Sequence, residues 1–209
     1  MNTAISNQQT GLERRWVLTG LLTGLTVPLL ASCTKVTESF KSTDITGVTF
    51  GQDFRLKDHF GQERSLADFR GKVVVVFFGF TQCPDVCPTS MATMAEVKRL
   101  LADNGKDLQV VFITVDPERD TQSLLKEYMS NFDPTFLALR PDPQQLPQTA
   151  ADFKIYYKRV EGKTSTSYTM DHSAGKYIFD KQGRIRLFSA YGTEAKVIAD
   201  DIRLLMQAS

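Results

Sequence analysis

The spacing of apolar and polar residues changes along the chain, and each change marks an element. Val73 to Phe78 is an unbroken run of apolar β-formers. Apolar side chains on both faces predict a central strand covered on two sides. Leu108 to Val115, mostly apolar β-formers, predicts a second buried strand. Between them, Val86 to Leu101 is an amphipathic stretch that predicts a helix, with Asn104-Gly105 as its C-terminal cap. Asp116 to Thr121 then supplies start signals for a helix over Gln122 to Ser130. Phe136 to Leu139 predicts a short strand, Pro143 to Phe153 a helix with Pro147 inside it, and Lys154 to Val160 an alternating strand. Tyr168 to His172 is expected to approach the sheet again. Tyr177 to Phe179 and Ile185 to Phe188, joined by Lys181-Gln182-Gly183, predict a hairpin. Thr193 to Met206 predicts a closing helix with Ile198, Ile202 and Leu205 on one stripe. Ahead of these, Phe50 to Leu56 and Arg64 to Leu66 flank Asp58-His59-Phe60-Gly61 and predict an N-terminal hairpin. Strands alternating with helices, followed by a hairpin and a helix, predict a three-layer α/β domain with a mixed sheet.

The N-terminal pattern is different. Arg14-Arg15 precedes Trp16 to Ser32, which carries no charge and has the length of a signal h-region. It ends Leu30-Ala31-Ser32-Cys33, which resembles a bacterial lipobox, where the cysteine is diacylated and becomes the new N-terminus. Thr34 to Thr46 is polar without apolar period and reads as a tether. The expected organisation is a signal peptide over 1–32, a flexible tether over 33–46 and a domain over 47–209. This reading places the domain outside the cytoplasmic membrane, on the periplasmic side, as a membrane-anchored lipoprotein. Composition agrees with one core, at 209 residues and 42% hydrophobic. A net charge of +1 gives no reason to expect nucleic acid as a partner. Lipidation of Cys33 also accounts for the odd number of cysteines, leaving Cys83 and Cys87 as a pair.

That pair carries the chemistry. The first buried strand runs into Gly79-Phe80-Thr81-Gln82-Cys83-Pro84-Asp85-Val86-Cys87-Pro88, a strand–loop–helix junction with Pro84 expected in the first helical turn. Residues four apart on a helix share a face, with Cβ atoms about 5–6 Å apart. A disulfide wants about 3.5–4.5 Å. A metal with bonds of about 2.3 Å to sulfur spans the wider gap more easily. Cys83 sits just before the helix and can adapt, so a disulfide stays open beside metal capture. The helix N-terminus is expected to lower the thiol pKa values and raise the thiolate fraction. Of the two histidines, His172 in Met170-Asp171-His172-Ser173-Ala174-Gly175 is the better ligand candidate. His59 lies in an expected exposed turn, where polar residues are commonplace. Two thiolates and one imidazole form a soft set that suits Cu(I), and with an added oxygen Cu(II). Structural zinc takes four protein ligands, and no fourth is at hand.

Three motifs in order, Gly79 to Pro88, Val115-Asp116-Pro117-Glu118-Arg119-Asp120-Thr121 and Asp171-His172-Ser173, resemble the SCO/SenC family over roughly residues 46 to 207. The resemblance implies a thioredoxin-like fold, with a central mixed β-sheet flanked by helices and the thiol motif at the end of a central strand. It implies copper ligation by Cys83, Cys87 and His172, one ion per chain, with Asp116 as an acidic neighbour of the metal. It implies a role as a metallochaperone in cytochrome c oxidase assembly, with the copper site of subunit II as acceptor. A copper donor and a thiol reductant are then further partners, and the protein is not a turnover enzyme. The alternative is a thiol–disulfide oxidoreductase, Cys83 attacking and Cys87 resolving, that reduces the acceptor's cysteines. A peroxidatic site wants one thiolate with Thr and Arg, so a vicinal pair argues against peroxide reduction.

Overall fold

A computed structural model of the protein describes residues 39–164 and 167–208. The leader and Cys33 lie outside the described residues. In chain order the strands and α-helices are β1 (Thr43–Asp44), β2 (Leu56–Asp58), β3 (Glu63–Arg64), β4 (Val73–Gly79), α1 (Val86–Leu101), β5 (Leu108–Thr114), α2 (Gln122–Ser130), β6 (Leu137–Arg140), α3 (Leu146–Asp152), β7 (Tyr157–Glu161), β8 (Tyr168–His172), β9 (Lys176–Phe179), β10 (Ile185–Ser189) and α4 (Ala195–Gln207). Eight strands form a mixed sheet in the order β1-β10-β9-β4-β5-β6-β2-β3. β4 and β5 lie parallel at its centre, in register from Val73 opposite Leu108 to Gly79 opposite Thr114. Every residue of both strands is buried, including the polar Gln109 and Thr114 of β5. α1 packs against α4, α4 against β4, and α2 against β6. The domain is therefore α/β, with a central mixed sheet flanked by helices.

Several expectations shift for physical reasons. Residues 41–46 were expected in the tether, yet the backbone N–H groups of Lys41 and Ser42 donate to the Asp201 carboxylate, both at 2.8 Å. β1 then pairs antiparallel with β10. Backbone pairing needs no apolar side chain, so the polar sequence concealed it. α1 ends earlier than a cap at Asn104-Gly105 implies. Ala102 takes the left-handed conformation at φ 49°, and a 3₁₀ segment follows over Ala102–Asp107. Pro84 lies outside α1, whose N-cap is Asp85, while Pro88 sits in the first turn. Pro147 falls near the start of α3, where its missing N–H has no intrahelical partner to lose. β8 does not join the main sheet; it pairs with β7 in a separate two-stranded ribbon, Tyr157 opposite His172.

The N-terminal hairpin β2–β3 and the hairpin β9–β10 close with the same device. In the first, Asp58 is buried and its carboxylate accepts from the backbone N–H groups of Phe60 and Gln62 and from Arg64 Nε. In the second, buried Asp180 accepts from the N–H groups of Gln182 and Arg184 and from Arg184 Nε. Gly61 and Gly183, at φ +85° and +69°, supply the left-handed residue each turn needs. Burial alone would raise both carboxyl pKa values, but the arginine and backbone hydrogen bonds outweigh it and hold them below the ordinary range. A depressed carboxyl pKa contributes stability above the unfolded value near 4, lost as pH falls through the folded value. Asp58→Ala is therefore expected to cost about 1–3 kcal/mol at neutral pH. The gap from the parent should close in acid, as read by urea midpoints across the pH range.

Candidate metal centre

The thiol pair sits where β4 hands over to α1. Gly79, the last residue of β4, leaves the space that Cys87 fills. A Cβ at residue 79 would come within 2.8 Å of Cys87 Sγ and of the Phe77 and Phe112 rings. Cys87 lies in the first turn of α1 and is 0% exposed, while Cys83, in the loop before it, is half-buried. Cys83 Sγ accepts the otherwise unpaired N–H of Cys87 at 3.4 Å. The sulfurs are thus held on one side of the helix mouth by the helix itself.

His172 reaches them from the ribbon. It ends β8, and its Nε2 lies 3.4 Å from Cys87 Sγ. Nδ1 lies 2.9 Å from the Ser173 carbonyl oxygen. Donation of the Nδ1 proton to that carbonyl sets the tautomer and leaves the Nε2 lone pair directed at the sulfurs. The Phe77 and Phe80 rings stand edge-on to the imidazole at centroid distances of 6.1 and 5.7 Å. The ligand atoms of Cys83, Cys87 and His172 all lie within 4.8 Å of one another. A cleft of about 250 Å³ opens beside Cys83 and His172, walled by Phe80, Pro84 and Met170, with Cys87 buried behind them. One side of the donor set therefore stays accessible to an incoming ligand.

Burial controls the protonation of the set. It pushes the Cys87 thiol well up, and the neighbouring Cys83 sulfur adds to this. The expected lowering by the helix N-terminus is overturned at Cys87, because loss of water around the sulfur outweighs the helix field. A soft cation reverses the balance, since coordination displaces the thiol proton. Burial also lowers the His172 pKa, which favours the neutral ring that ligates metal.

Asp116 is almost fully buried, but its carboxylate turns to other partners. It pairs with Arg119 Nε and accepts from the Tyr168 hydroxyl at 2.9 Å. Arg119 in turn donates to the Tyr168 carbonyl at 2.8 Å and lies 3.5 Å above the Tyr168 ring. Arg159 stacks on the same ring at 3.8 Å. The acidic residue thus ties the loop after β5 to the strand that carries His172. Both of its oxygens are engaged in this way, next to the donor set rather than in it.

Asp120 belongs to the helix-start loop but does more than begin α2. It is 0% exposed and accepts from Thr81 N–H at 3.1 Å, Thr81 Oγ1 at 2.5 Å and Thr114 Oγ1 at 2.5 Å. Burial raises its pKa, with these hydrogen bonds opposing. It fastens the thiol loop to the end of β5. Thr81, polar between Phe80 and the thiol motif, was the available signal. His59 is 7% exposed, so the expected exposed turn is wrong for this residue. Its N–H donates to the Ala138 carbonyl at 2.9 Å, and its Nδ1 accepts from Ala138 N–H at 3.0 Å. It prolongs the β2–β6 pairing. No helix among the described residues is long and apolar enough to cross a membrane.

The SCO1/SenC family model matches residues 42–207. The human mitochondrial SCO2 homologue is 35% identical over 208 residues, spanning 96% of this chain and 78% of the relative. Among solved structures, Bradyrhizobium japonicum ScoI with copper bound is 36% identical with a TM-score of 0.68, covering 74% of this chain and 98% of that one. Yeast Sco1 with copper bound is 29% identical with a TM-score of 0.70, covering 78% and 91%. With the family model spanning nearly all the described residues, the chain belongs to the SCO1/SenC family and has its thioredoxin-like fold.

Proposed function

We propose that this protein binds one copper ion through Cys83, Cys87 and His172 and passes it to a thiolate-rich acceptor in the assembly of cytochrome c oxidase. The observation that carries the reading is the convergence of two sulfurs and a lone-pair nitrogen within 4.8 Å beside an open cleft. The donor set is soft and three-coordinate, which favours Cu(I). Loading removes the thiol protons, and His172, already neutral, closes the set without a proton change. Release proceeds by ligand exchange: an acceptor thiolate enters from the cleft, and each bond to this protein is replaced as it breaks. The family resemblance supports subunit II of the oxidase as acceptor, with a separate copper donor upstream. A lipid on Cys33 would hold the domain at the extracytoplasmic face of the membrane, where that subunit's copper site is assembled.

The test is an anaerobic copper titration of the reduced protein. The expected result is a single equivalent bound, with copper transferred stoichiometrically to a reduced subunit II copper domain. Binding that never reaches one equivalent, or copper that stays put when the acceptor is added, would count against the reading.

A second reading rests on the unequal exposure of the two thiols. Half-buried Cys83 can attack a partner disulfide, and fully buried Cys87 can then resolve the mixed disulfide. The partner gains two thiols as Cys83 and Cys87 become a disulfide, and a thiol reductant restores them. His172 separates the readings. His172→Ala should weaken copper binding by at least about 10-fold, given what even outer partners contribute, and leave disulfide exchange near its parent rate.

A further inference from the structure

One helical turn beyond Cys87, α1 presents Ser90 to a second cleft of about 450 Å³, which shares no lining residue with the cleft beside Cys83 and His172. Lys176 of β9 and the start of α4 form its other walls. Lys176 is 1% exposed. Among the described residues its amine has no carboxylate and no hydrogen-bond acceptor; its charge meets only the Phe77 ring, 5.8 Å away. Ser90 Oγ is buried without a hydrogen-bond partner, and so is Ser189 Oγ. Ser189 lies directly opposite Lys176 in the β9–β10 ladder, so the two side chains share a face. The N-cap of α4, Glu194, makes no side-chain capping bond, so the N–H groups of the first turn are left to another acceptor.

Each of these features lacks the same kind of partner. A buried cation without a counter-charge is costly. Buried hydroxyls without partners are uncommon. A helix N-terminus attracts negative charge. Two glutamates stand near the mouth and set the charge of the guest. Glu96 is occupied, gripped by Arg99 through both oxygens at 2.7 and 2.5 Å. Glu194 is exposed and keeps its own charge at the rim. One remaining negative charge opposes a dianion more strongly than a monoanion. We propose that this cleft binds a small monoanionic carboxylate, held by Lys176, Ser90 and the α4 N-terminus. The site is separate from the copper centre and does not depend on it. Burial lowers the Lys176 pKa, and a bound carboxylate counteracts that loss of solvation.

Acetate and inorganic phosphate, titrated separately at neutral pH into the ¹⁵N-labelled protein, test this. The amides of Ser90, Thr193, Glu194 and Ala195 report on the cleft. The expected result is a saturable acetate response with Kd on the order of 1–10 mM and a weaker response to phosphate. Lys176→Met should fold, because it replaces a buried charge with an apolar chain of similar length, and should weaken acetate binding about 10-fold or more. Ser90→Ala, a smaller change, should weaken it by roughly 2- to 10-fold. Absence of an acetate response, tighter binding of phosphate than acetate, or undiminished acetate binding in either variant overturns the proposal.

Discussion

Cys87→Ser is expected to lower Cu(I) affinity by on the order of 10³-fold. The estimate follows from metal-site binding free energies of about 10–16 kcal/mol shared among three or four ligands, at about 1.4 kcal/mol per tenfold. The serine hydroxyl is a hard, protonated donor that a soft ion does not favour. Cys87 is the more telling of the two sulfurs because its position is fixed. It is fully buried in the gap that Gly79 leaves, and it faces His172 Nε2 at 3.4 Å. Competition with a Cu(I) chelator under anaerobic conditions measures the loss, and circular dichroism checks that the fold is kept. Affinity within a factor of about ten of the parent, less than a single ligand's share, would remove Cys87 from the ligand set.

Asp120→Ala should have the largest effect on stability, about 3 kcal/mol or more. The substitution strands the Thr114 hydroxyl, the Thr81 hydroxyl and the Thr81 N–H, and a buried group left without its partner costs about 1–3 kcal/mol. Copper affinity should fall with it, by about 10- to 100-fold as for partners that orient ligands, because Thr81 lies two residues before Cys83. Urea unfolding and chelator competition on the same sample read both effects. The sign with pH is the reverse of that for Asp58 and Asp180. The raised Asp120 pKa means that the folded state favours the protonated acid. Its contribution is complete below the unfolded carboxyl value and fades as pH rises through the folded one. A loss of less than about 1 kcal/mol would mean that the three hydrogen bonds give no more than ordinary ones.

What the sequence disclosed and what it hid divide along a physical line. β4, β5, α1 and α2 were legible because each carries its own periodicity; the apolar patterns bound α1 and α2 correctly, while the cap expected at Asn104-Gly105 and the place expected for Pro84 did not hold. Thr121 was legible as a start signal because capping is local: its side chain accepts from Leu124 N–H. The pairing of β8 with β7 was not legible, since nothing within Tyr168 to His172 says which strand it will meet. β1 was hidden because its pairing uses backbone alone. The candidate site divides in the same way. The Cys83–Cys87 spacing and His172 could be picked out from residue chemistry and family resemblance. The rise in the Cys87 pKa depends on how much protein surrounds the sulfur, which only the packed fold sets. The fastening role of Asp120 needed Thr81 and Thr114 to be seen on either side of it.

The ribbon gives the donor set an uneven foundation. Both sulfurs belong to the strand–helix body, whereas the imidazole rides on β7–β8, which shares no ladder with the eight-stranded sheet. A captured ion would therefore act as a rivet between the sheet and a ribbon that is otherwise tied to it by the short link from His172 to Lys176 and by side chains such as Asp116, Arg119 and Tyr168. Loss of the ion would undo that rivet, so the grip on the ion and the stiffness of the appended ribbon are two aspects of one equilibrium.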